Sequence, residues 1–121
     1  MLTVNVDRKK EVEIRNIFSS LPEIRQENEL DALLDQLSPK ISWGERKTAA
    51  KRIGALRNPE ALPALVAALP VDRFWMVRCE IIQALERIAD PAAVPVLQSV
   101  AANDGFKVVR EYAAKAAERL S

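Results

Sequence analysis

The sequence predicts an all-α chain, a solenoid of antiparallel helix pairs with a 32-residue period. Two observations carry that prediction. The stretch "NPEALPALVAAL" at 58–69 returns as "DPAAVPVLQSVA" at 90–101, and the register between them needs no insertion or deletion. Apolar residues fall at 49, 50, 53 and 56, then at 81, 82, 85 and 88, then at 113, 114, 117 and 120. That spacing marks one face of an α-helix, and a fixed period of this length marks a repeat array.

Each element can be read in order. Sliding the chain by 32 residues lays Trp43 on Trp75, Arg46 on Arg78, Leu65 on Leu97, Asp72 on Asp104, Phe74 on Phe106 and Val77-Arg78 on Val109-Arg110. Carried backwards, the shift lays Leu30, Leu33, Leu34 and Leu37 on Leu62, Leu65, Val66 and Leu69, a worn copy in which Ile14 stands in the arginine slot. Helices are expected near 8–21, 27–38, 43–56, 59–69, 74–89, 91–102 and 106–120, making three pairs and an unpaired last helix. The chain divides into a degenerate repeat over 1–42, repeats over 43–74 and 75–106, and a terminal half-repeat over 107–121, all in one domain. Ser42 with Glu45 predicts a capping box for the helix at 43. Asn58-Pro59 and Asp90-Pro91 read as helix starts, where a short polar side chain accepts from free N–H groups and proline loses no bond. Pro63 and Pro95, one turn further in, are expected to bend those starts slightly.

Composition narrows the function classes. The 121 residues are 49% hydrophobic with few aromatics, and the net charge is +1, so no global pull towards nucleic acid is expected. Residues 1–42 sum to −2, residues 43–74 to +3 and residues 75–121 to 0. No histidine is present, which removes the commonest metal ligand and general base. The single cysteine, Cys79, excludes an internal disulfide. The opening "MLTVNVDRKK" does not read as a signal peptide, and no stretch is long and apolar enough for a membrane span. The expectation is a cytoplasmic, non-catalytic protein without cofactor or metal.

"ERKTAAKRIGALRNPEALPALVAAL" and "VRCEIIQALERIADPAAVPVLQSVA" resemble HEAT repeats, specifically the short type of phycobilisome-lyase-like proteins. The shared features are the Val-Arg before the first stripe, the small-residue stripe, the Asn/Asp-Pro opening and the "ALPAL"/"AVPVL" helix. The likeness is close over 43–120 and weak over 10–42. It implies a right-handed α-solenoid whose first helices lie on the convex side and whose second helices line the concave side. It also implies a scaffold that binds a partner protein or peptide in the concave groove, or alternatively an accessory subunit of a bilin lyase. HEAT-like DNA glycosylases would need a longer concave surface and a clearer basic track. HEAT-type di-iron hydroxylases need His-Glu pairs that are absent.

Candidate sites stand beside plainer readings. Arg46, Arg78 and Arg110 recur at one helical slot; with Asp72 and Asp104 they read as a structural hydrogen-bond ladder between repeats, in preference to an anion site. Lys47, Lys51, Arg52 and Arg57, with Lys40 nearby, form a basic run that is either a phosphate-contacting patch or a solvated face, and the lack of interleaved aromatics argues against nucleic acid. Trp43 and Trp75 either plug gaps between repeats, the favoured reading, or form an exposed rim. Cys79 shares its slot with Lys47 and Glu111, so a near-surface thiol and a small buried one are both open. The groove positions left over from the core stripe are Asp31, Ala32 and Asp35, then Ala64 and Ala67, then Val96 and Ser99. They suit a closely approaching helix or extended segment, or an unoccupied alanine surface. The apolar ridge Val109, Ala113, Ala116, Ala117 and Leu120 on the last helix is expected to stay partly exposed and to mediate weak self-association or dock to a partner, unless that end is a simple cap.

Overall fold

A computed structural model describes the backbone over residues 22–121 and side-chain burial from residue 28. The expected helix at 8–21 and the Ile14 slot lie outside the described residues. Within them are six α-helices and no strand: α1 (Pro22–Asp35), α2 (Trp43–Leu56), α3 (Leu62–Ala68), α4 (Trp75–Ile88), α5 (Val94–Asn103) and α6 (Lys107–Leu120).

The helix starts follow local chemistry. Ser42 has extended backbone and its Oγ accepts the Glu45 N–H at 3.4 Å, opening α2. The Asn/Asp-Pro signals do not open the α-helix directly. Asn58 Oδ1 accepts from Glu60 N–H and Asp90 Oδ1 from Ala92 N–H, both at 2.9 Å, capping single 3₁₀ turns at Pro59–Ala61 and Pro91–Ala93. Pro63 and Pro95 then stand in the first turn of α3 and α5, where the missing N–H had no intrahelical partner to lose. The chain leaves α2 and α4 through left-handed residues, Arg57 at φ 52° and Ala89 at φ 60°. Glycine is the usual occupant there.

Packing differs from the expected pairing. The first helices stack directly, α2 on α4 and α4 on α6, while α5 lies closest against the following helix α6. The last helix, α6, has no described helix after it, but α5 and α4 both pack on it. Val109, Ala113 and Ala116 are fully buried, Ala117 is buried and Leu120 half-buried, so the ridge expected to stay partly exposed is covered except at Leu120. One slot differs at this end: Ala114, in the slot of buried Ile82, is exposed, whereas Ala116 is buried like Ala84 in the same slot. The 82/114 slot faces onward along the array, and no described helix follows α6.

The core runs through the whole stack. Ile53, Leu65, Leu69, Val77, Ile81, Ile82, Leu85, Leu97 and Val109 are fully buried. Burying each large aliphatic side chain contributes about 1.5–3 kcal/mol. One contact is between backbones. A Cβ built on Gly54 would lie 2.8 Å from Ala84 Cα, so α2 and α4 leave no room for a side chain at that point.

Candidate binding site

Three features bear on the junction of α1, α2 and α3, and the first two recur one repeat further along. The first is a pair of buried ion pairs repeated along the array. Arg46 Nε and Nη2 donate to Asp72 Oδ2 and Oδ1 at 2.9 and 3.1 Å, and Arg78 Nε and Nη2 donate to Asp104 Oδ2 and Oδ1 at 2.7 and 2.9 Å. Each is a fork-to-carboxylate pair whose side chains are at most 10% exposed. The third nitrogen also recurs: Arg46 Nη1 donates to Ile41 O, Arg78 Nη1 to Asp72 O and Arg110 Nη1 to Asp104 O. The aspartates are pinned from their own side, since Asp72 Oδ1 accepts from Phe74 N–H and Asp104 Oδ1 from Phe106 N–H. Burial works against the Asp104 charge. The Arg78 hydrogen bond, the Phe106 N–H and the Arg78 and Arg110 charges outweigh it and hold the carboxyl below its ordinary range.

The second feature is a set of aromatic stacks along one edge. Trp43 lies on Phe74 with centroids 4.3 Å apart and planes 3° from parallel; Trp75 lies on Phe106 at 5.9 Å and 16°. Arg78 adds a cation–π contact, its guanidinium carbon 5.7 Å from the Phe106 centroid. Trp43 remains 43% exposed and Phe106 49%, whereas Trp75 is half-buried. Each stack closes one repeat on itself, Trp75 and Phe74 pack against the core, and Trp43 still faces solvent.

The third feature is a groove of about 330 Å³ between α1 and α3. Leu34 and Leu37 form one wall, Ala64, Ala67 and Ala68 the other, Val71 and Arg73 the mouth, and the Arg46–Asp72 pair the floor. Val71 is 72% exposed there.

The groove positions read from sequence separate accordingly. Ala64 and Ala67 line the groove. Asp31 and Asp35 are exposed on α1 but outside its lining, Val96 is half-buried against the core, and Ser99 is exposed on α5 away from it. Leu34, Leu37, Val71 and Arg73 were missed. Leu34 and Leu37 share the stripe of Leu30 and Leu33, so sequence pattern assigns them to the core; Leu30 and Leu33 are buried, while Leu34 and Leu37 are only half-covered.

The remaining groups are less suited to chemistry. Cys79 is buried, which settles the open choice about its position, and burial pushes its thiol up, with Arg78 opposing and Asp104 and Glu80 reinforcing. Among the described residues no cluster of three metal-binding side chains occurs, and no helix is long and apolar enough to cross a membrane. Lys40, Lys51, Arg52 and Arg57 are exposed, Lys47 is half-buried, and none forms a salt bridge among the described residues.

A family model described as HEAT repeats matches residues 30–118. The match is to HEAT repeats at large and does not reach the narrower likeness to phycobilisome-lyase-like proteins. No curated protein and no solved structure matches the chain.

Proposed function

From the premise that the chain belongs to the HEAT-repeat family, we propose a non-catalytic module that binds a partner protein or peptide in the groove between α1 and α3. The array is taken as a right-handed solenoid with that groove on its concave side. The observation that carries the reading is the wall pair: half-buried Leu34 and Leu37 stand opposite the small Ala64 and Ala67. Their volume falls at the low end of ligand-sized pockets, enough for one or two apolar anchor side chains. Those anchors at i and i+3 or i+4 of a helix would lie against the leucines, as in helix-in-groove recognition. Arg73 at the mouth favours an acidic residue flanking the anchors.

The test is a selection from a random peptide library on the 121-residue chain, followed by affinity measurement on Ala67→Glu. Ala67 is exposed, so the substitution leaves the core untouched. Selected peptides are expected to share spaced apolar anchors and to bind Ala67→Glu at least about ten-fold more weakly, a loss of about 1.4 kcal/mol. Peptides that bind Ala67→Glu and Leu37→Asp as well as the parent would place the function elsewhere.

A further inference from the structure

We propose that Arg110 is a carboxylate receptor that takes an aspartate presented by a partner chain in an Asp-x-Phe turn. The molecule contains two filled examples of that complex. In each, an arginine is steadied by Nη1 on a backbone carbonyl, its Nε and Nη2 grip an aspartate, and the aspartate accepts the N–H of a phenylalanine two residues on. The phenylalanine ring then stacks on the tryptophan three residues before the arginine.

Arg110 has the first half of this arrangement. Its Nη1 donates to Asp104 O at 2.7 Å, matching the 2.8 Å contact of Arg78 Nη1 with Asp72 O. Its Nε and Nη2 have no acceptor among the described residues. No buried side-chain nitrogen or oxygen there lacks a partner, so those two groups are open to solvent. Arg110 is half-buried and its guanidinium is already oriented by that bond, so less entropy is lost when the carboxylate arrives. In the tryptophan slot stands Lys107, whose charge partner is Glu111 at 3.8 Å, with side chains 80% and 56% exposed. Such a pair is weak. An incoming phenylalanine would meet the lysine as a cation–π partner, the type of contact Arg78 makes with Phe106. A planar fork selects a bidentate carboxylate, which lysine cannot reproduce. The site lies at the other end of the helix stack from the α1–α3 groove and does not rest on it.

The experiment uses the 121-residue chain labelled with ¹⁵N and a backbone-cyclised peptide carrying residues 103–108, Asn-Asp-Gly-Phe-Lys-Val. The Nε–Hε resonance of Arg110 is followed on titration. It is expected to shift saturably, while those of Arg46 and Arg78 stay in place because their forks are filled. Replacing the peptide aspartate by asparagine, or Arg110→Lys in the protein, should each weaken binding by roughly ten-fold or more. Absence of a saturable Arg110 shift, equal binding of the asparagine peptide, or an equal shift with sodium acetate at the same concentration would overturn the assignment.

Discussion

Gly54→Ala tests the backbone contact between α2 and α4, and two effects oppose each other there. Alanine is the better helix former, which favours the variant by about 1 kcal/mol. The new methyl, however, would sit 2.8 Å from Ala84 Cα, 3.0 Å from Ala84 Cβ and 3.4 Å from Arg87 Cδ. Carbon atoms rest at about 3.5–4.0 Å, so α2 and α4 must part by roughly 1 Å. Arg87 can swing aside, but the Ala84 backbone cannot. Parting also loosens the core between the two helices, where Ala50, Ile53, Ile81 and Leu85 are fully buried. Overpacking of this kind costs about 1–3 kcal/mol, and backbone contact places the cost in the upper half of that range. The expected net is a destabilisation of about 1–2 kcal/mol, read as a lower urea midpoint at unchanged slope by far-UV circular dichroism. Gly44 is the control, because it lies in the same helix and a Cβ there meets nothing within 4 Å. Gly44→Ala should be neutral or slightly stabilising. If Gly54→Ala behaves like Gly44→Ala, the two helices do not approach as described.

Leu85 is fully buried in the middle helix, and Leu85→Ala should cost about 2–5 kcal/mol in the same denaturation assay; retained stability would mean the register of α4 is wrong. Asp104→Asn should cost about 3 kcal/mol near pH 7, since it leaves the buried Arg78 guanidinium without its counter-charge. Because the Asp104 carboxyl is depressed in the fold, its stabilisation is complete above the unfolded carboxylate value, about 3.9, and is lost as pH falls through the lower folded value. The gap in urea midpoint between parent and Asp104→Asn should therefore be constant above about pH 5 and shrink below pH 4. A gap that persists unchanged to pH 2 would show that the charge plays no part.

The sequence by itself determined what is local or periodic. Fixed spacing identified the faces of α2 and α4, the caps at Ser42, Asn58 and Asp90, and the recurrence of Arg46 and Asp72 at Arg78 and Asp104. Each depends on residues a few positions apart or on one repeat copying another, and both are visible in a linear string. Only the tertiary structure decided which neighbour covers which face. Periodicity places Ala116, Leu34 and Arg110 on a helix surface but cannot say whether a later helix lies over it. Packing of α5 onto the following helix buried the α6 ridge that pattern alone left open. Leu34 and Leu37 carry the same stripe signal as Leu30 and Leu33, yet only one side of each packs against the core and the other lines the groove. Gly54 carries no apolar signal, yet it lets α2 and α4 meet backbone to backbone, because the missing side chain there is itself the contact surface.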